Sequence, residues 1–178
     1  MQPPESSLPA SPDAAPGMPA PLDEAAQARR AWLAELARAP RAALEQTLLA
    51  ALPDGLPAYE WLRAPQTGLA MVRGRVGGSG DAFNLGEATV TRATLRLREA
   101  AAPGAAATVG IAYQLGRDKR RAELAALSDA LLQCPQRHDA VYRHVIAPLR
   151  EARRTREQQQ SEAAAATRVE FFTMVRGE

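Results

Sequence analysis

The amino-acid sequence predicts an α+β fold: an N-terminal helical pair, a small antiparallel β-sheet, and C-terminal helices with a protruding arm and an apolar tail. Three observations carry this. Apolar residues recur at helical spacing before residue 53 and again after residue 118. Between them lie Thr-, Val- and Leu-rich runs with two-residue alternation. The links between those runs are too short for parallel crossovers, so the strands are antiparallel.

Residues 1–22 are rich in Pro, Ala and Ser and carry too little apolar surface to offset the entropy of ordering, so they are expected to form a disordered tail. Residues 23–178 then form a single domain, its arm beginning near residue 150. Asp23 is a suitable N-cap before Glu24, and Ala25, Ala28, Trp32, Leu33 and Leu36 follow at helical spacing. Pro40 stops this helix and opens the next, whose face carries Leu44, Leu48, Leu49 and Leu52. Pro53, Gly55 and Pro57 end the helical pair.

Three or four strands follow. Residues 59–63 are a short candidate, and Pro65-Gln66-Thr67-Gly68 reads as a turn. Residues 69–76 form the next strand, with Leu69 and Met71 on one face and Ala70, Val72 and Val76 on the other. A glycine-rich link is expected from Gly77 to Gly86. In residues 88–98 the apolar side switches between Val90 and the pair Leu95 and Leu97, which a bulge or burial on both faces would explain. Residues 101–107 form a turn around Pro103 and Gly104, and residues 108–115 alternate Val109, Ile111, Tyr113 and Leu115 with Thr108, Gly110, Ala112 and Gln114.

Asp118 can cap a helix with the stripe Leu124, Leu127 and Leu131, which Pro135 breaks. A further helix carries Val141, Tyr142, Val145, Ile146 and Leu149, with Pro148 expected to kink or interrupt it. Residues 150–168 contain no Leu, Ile, Val, Met or aromatic residue. A helix polar all round does not hold itself in a core, yet this one leads into Val169, Phe171, Phe172, Met174 and Val175. That patch is a candidate partner interface.

Composition narrows the function. The 178 residues carry 22 Lys and Arg against 20 Asp and Glu, a balance that argues against a dedicated nucleic-acid binder. A single cysteine, Cys134, excludes an internal disulfide and fits a reducing compartment. No stretch has the length and apolarity of a membrane span and no secretory signal is evident, so the expected location is cytoplasmic. Aromatic residues make up only 4%, a core lean in large side chains that a partner surface can complete.

Two places can hold phosphate. Gly77, Gly78 and Gly80 offer backbone N–H groups, although neither a Walker nor a Rossmann pattern is present. A plain hairpin or interface loop is the favoured reading. Arg117 and Lys119 flank a helix N-terminus, which attracts anions, but Asp118 between them repels an anion there, so a capped, solvated first turn is favoured. Arg92, Arg96 and Arg98 share one strand face and Arg73 and Arg75 another. His138, His144 and Cys134 lack metal-ligand spacing, and no catalytic set is discernible.

The block 68–92 (GLAMVRGRVGGSGDAFNLGEATVTR), Gly116-Arg117-Asp118-Lys119 and the C-terminal RVEFFTMVRG, in that order and spacing, resemble the PhnG family, subunits of the bacterial carbon–phosphorus lyase core complex. Arg30-Ala31-Trp32, Tyr59-Glu60 and Ile146-Ala147-Pro148-Leu149 add to the resemblance, which runs from about Arg29 to Gly177. It implies a role in organophosphonate catabolism, in the step where a phosphonate displaces adenine from ATP to give ribose 1-methylphosphonate 5-triphosphate. It implies a core with two copies each of PhnG-, PhnH-, PhnI- and PhnJ-type subunits. In that division the nucleosidase capability belongs to PhnI-type chains, and the iron–sulfur cluster with its SAM-dependent radical step to PhnJ-type chains. No cofactor, metal, membrane or nucleic acid is expected for this chain itself, whose role would be structural; the alternative is that it lends phosphate-binding residues to a shared active site.

Overall fold

The computed structural model describes residues 23–78, 80–98 and 107–167. The expected N-terminal tail (1–22) and the apolar tail after Thr167 lie outside them. Helices α1 (Glu24–Arg38) and α2 (Arg41–Ala51) precede strands β1 (Tyr59–Arg75), β2 (Ala82–Leu97) and β3 (Val109–Leu115). Helices α3 (Lys119–Leu132), α4 (Pro135–Val141) and α5 (Ala147–Ala166) follow, the last two joined by a π-helical turn at Tyr142–Ile146. The sheet is antiparallel in the order β1-β2-β3, with all the helices packed over one face.

The helix boundaries follow their local chemistry. The Asp23 carboxylate accepts the Ala26 N–H at 2.7 Å, and that of Asp118 accepts the Arg121 N–H at 2.9 Å, each satisfying an otherwise orphaned donor. The carbonyl end of α1 is closed by Arg121, whose guanidinium donates to the carbonyls of Ala37 and Ala39 at 2.6 and 2.8 Å. Pro148 does interrupt its helix, in a specific way. The Ala147 N–H reaches back to the Tyr142 carbonyl, so the widened turn sits where proline removes a donor and the chain continues straight into α5.

The core lies between the sheet and α1, α2, α3 and the π-turn. Leu36, Leu44, Leu48, Leu95, Leu124, Leu127, Leu131 and Ile146 are each almost wholly buried. The strand β3 approaches α3 so closely that a Cβ on Gly110 would overlap the Ala126 carbonyl oxygen and crowd Ala130, so no other residue fits there.

Two expectations are corrected. Residues 65–68 make no turn: β1 runs unbroken for 17 residues, so of the three or four strands expected the sheet has three. Pro65 is tolerated because β1 is an edge strand and because the register shifts between Trp61 and Gln66, which absorb extra residues there. The glycine-rich link is also shorter than expected. A 3₁₀ turn, Val76–Gly78, follows β1 and pairing resumes at Ala82, so Asn84 and Gly86 belong to β2. The alternation left the buried face of β3 open, and its large residues face away from the helices. Gly110, Ala112 and Gln114 are buried, whereas Tyr113 is 62% and Leu115 69% exposed. The switch in β2 has the same origin. Thr91, Ala93, Leu95 and Leu97 face the helices while Val90 faces out, with the irregularities on its partner β1 at that level.

Candidate partner interface and phosphate subsites

A cluster that holds the scaffold together centres on Asp129, buried on α3 with no exposed side-chain surface. Its carboxylate accepts from Arg29 Nη2 at 2.7 Å and Nε at 3.2 Å, from Trp32 Nε1 at 2.9 Å and from the Ile111 N–H at 3.0 Å. One carboxylate thereby ties α1, β3 and α3 together, with every buried donor satisfied. Its only signal in the sequence is an aspartate inside an apolar helical stripe.

His138 and Cys134 have structural surroundings. His138 Nδ1 lies 2.6 Å from the Leu132 carbonyl, and its ring meets Trp32 edge-on and stacks on Tyr142. Cys134 is buried. Among the described residues, no group of three or more His, Cys, Asp or Glu side chains is placed to hold a metal ion.

The two phosphate-binding candidates fall in different places. Gly77, Gly78 and Gly80 are at the tip of the β1–β2 hairpin. There Gly77 has a φ of 62°, the Gly80 N–H donates to the Val76 carbonyl at 3.2 Å, and Arg75 Nη1 donates to the Gly80 carbonyl at 2.9 Å. The turn thus spends polar groups on itself. Arg117 and Lys119 are exposed at the start of α3, where the Asp118 carboxylate already occupies the helix terminus and Arg41 lies 3.9 Å from it. Gly116, with a φ of 96°, turns the chain out of β3 and donates its N–H to the Thr89 carbonyl. Since Thr89 pairs with Leu69, the hairpin tip lies about 20 Å further along the ribbon, and one chain does not bring the two candidates together.

The surface away from the helices is different. By register, Gly68, Ala70, Val72, Val90, Ile111, Tyr113 and Leu115 share the outer face of the sheet, together with Arg92 and an Arg96–Glu60 ion pair. A shallow cavity of about 330 Å³ opens on it, lined by Gln66, Gly68, Ala70, Val90, Arg92 and Tyr113 among others. β3 pairs with β2 only from Val90 to Arg96, so the distal hairpin is a free two-stranded ribbon. Leu69, Met71, Val72, Val76, Phe83 and Leu85 are exposed along it. They stand on both faces of the ribbon, and exposed apolar side chains in such number mark an interaction surface.

The arm is helical as expected. Glu35 on α1 accepts from Arg153 Nε at 2.9 Å and Nη2 at 3.0 Å, with Arg150 alongside at 3.6 Å. These guanidiniums, Arg153 foremost, hold the Glu35 carboxyl below its ordinary pKa against the opposing effect of burial. Beyond Arg153 every residue of α5 is exposed over about 20 Å of helix, with Arg156, Glu157 and Gln160 lining a shallow cavity against α1 and the start of α2. The candidate interface residues Val169, Phe171, Phe172, Met174 and Val175 come after it, outside the described residues.

The fold is that of a small α+β protein with large apolar side chains exposed on its sheet and hairpin. Residues 27–177 match the family model described as "Phosphonate metabolism protein PhnG", and the chain belongs to that family. It is 48% identical over 129 residues to the "Alpha-D-ribose 1-methylphosphonate 5-triphosphate synthase subunit PhnG" of Rhizobium meliloti (strain 1021), covering 70% of this chain and 75% of that one. No helix among the described residues is long and apolar enough to cross a membrane.

Proposed function

We propose that this chain is a subunit of the carbon–phosphorus lyase core complex. It is required for the step in which a phosphonate displaces adenine from ATP, and it acts there as an assembly subunit. Its partners on this reading are the PhnH-, PhnI- and PhnJ-type chains, two copies of each in the core, with the iron–sulfur and SAM chemistry in a partner. The observation that supports it best is the contrast between its surfaces. The candidate anion sites are engaged with groups of this chain, Asp118 at one and Val76 and Arg75 at the other. Among the described residues, the outer sheet face and the ribbon expose large apolar side chains, Val72, Phe83, Tyr113 and Leu115 among them. Burying a large apolar side chain contributes about 1.5–3 kcal/mol, so a few such residues decide whether a subunit joins.

The test is co-expression with the cognate PhnH-, PhnI- and PhnJ-type chains. Tyr113→Ser with Leu115→Ser removes exposed side chains only, so the isolated variant should keep its wild-type circular dichroism while losing co-purification. Normal co-purification would refute the role of this face.

A second reading, in which the chain lends phosphate-binding residues to a shared active site, draws on Arg117 and Lys119 being exposed beside the start of α3.

A further inference from the structure

An eight-residue run in β1, residues 66–73, is exposed throughout. A strand lying on a core buries every second residue, so continuous exposure means that neither face is covered here. β1 is also the edge of the sheet, and the row of N–H and C=O groups on its far side pairs with no strand among those described. Edges are ordinarily blunted by proline, charge or bulges. In β1 these devices stand at the two ends: Glu60, Arg63, Pro65 and the register shifts between Trp61 and Gln66 at one, Arg73, Arg75 and the shift between Val72 and Arg73 at the other. From Gln66 to Val72 the pairing with β2 is regular and the sequence QTGLAMV has no charge and no proline.

We infer that residues 66–72 of β1 are a docking edge that receives a β-strand from another subunit of the same complex. The occupant fits a stated chemistry. Its middle is uncharged and apolar, to match Leu69, Met71, Ala70 and Val72 on the two faces, and it carries carboxylates toward its ends. Arg63 flanks the edge on one side and Arg73 and Arg75 on the other. This inference rests on the assembly reading and specifies where and how one contact is made. Strand addition supplies main-chain hydrogen bonds along the edge, with side chains on alternating faces giving selectivity.

The experiment is amide hydrogen exchange on the isolated chain and on the co-purified complex. In an antiparallel pair, alternate residues of β1 direct their N–H groups away from β2. Those alternate amides within 66–72 should exchange freely in the isolated chain and slow by about two orders of magnitude in the complex. Leu69→Pro and Ala70→Pro complete the test, because one of two consecutive N–H groups points outward. One of the two variants should keep the isolated fold and lose the complex. Complex formation with these amides still exchanging freely would overturn strand addition while leaving the assembly reading intact. Protection already present in the isolated chain and rising with its concentration would assign the edge to a second copy, overturning the inference. Failure of the wild-type chain to form any complex would remove the assembly reading and this inference with it.

Discussion

Asp129 joins three elements of this molecule, α1, β3 and α3, through one buried carboxylate. Replacing it with Ala leaves the Arg29 guanidinium, the Trp32 indole N–H and the Ile111 N–H without their acceptor. Breaking a buried pair in this way costs about 3–5 kcal/mol. Urea unfolding of Asp129→Ala should show a loss of that order or no soluble chain, and a loss below about 1 kcal/mol would contradict the assignment. Glu35 titrates to a different end. Its folded pKa lies below the ordinary carboxylate value of 4.5, so its ion pairs contribute stability that is fully present above that pH and is lost as pH falls through the folded value. Thermal melts at descending pH should show wild type losing more stability below about pH 4.5 than Glu35→Gln. Tyr59 runs oppositely. Burial and its 2.6 Å hydrogen bond to Glu123 push the phenol up to about 12, so its contribution persists below pH 10 and is lost as pH rises through about 12.

At the scale of elements, the helices were legible and the sheet's orientation was not. Asp23, Pro40, Asp118 and Pro135 mark helix ends by local chemistry, and each acts where it stands in the sequence. Strand β1 defeated local reading because Pro65 and Gly68 signal a turn. On an edge, proline loses no ladder bond, and a shift in register accommodates it. Strand β3 defeated the rule that large residues go inward. Its close seat on α3 leaves no room for a side chain at Gly110, and with Gly110, Ala112 and Gln114 inward, Ile111, Tyr113 and Leu115 are turned out. Of the candidate sites, the arm was readable from residues 150–168 because a polar helix has one sequence pattern. The open sheet face was not, since exposure depends on which face the helices cover. The arm yields a prediction of its own. Ending the chain at residue 168 should leave the thermal midpoint of the isolated domain within about 2 °C of wild type, because every residue of α5 beyond Arg153 is exposed, and should abolish co-purification. A truncated chain that unfolds would instead mean that the tail completes its own domain, and one that co-purifies normally would mean that the tail is not an interface.

As a whole molecule, the protein is a well-packed helical layer on one side of a sheet and an apolar, uncovered surface on the other. The lean aromatic content fits this division, because several of the large side chains it does have, Trp61, Phe83 and Tyr113, are spent on the outside. On the reading proposed above, such a chain contributes shape and adhesion to an assembly, and its cations beside α3 belong to a capped turn. The measurement that tests this most directly is phosphonate-dependent adenine release from ATP, expressed per mole of assembled complex. The subunit would carry Arg117→Ala, Lys119→Ala and Gly80→Ala together. If the chain works through assembly, the rate per complex stays within about twofold of wild type, since no group touching ATP has been removed. A fall of about tenfold or more in a complex of unchanged composition would place these residues at the phosphate and contradict the account.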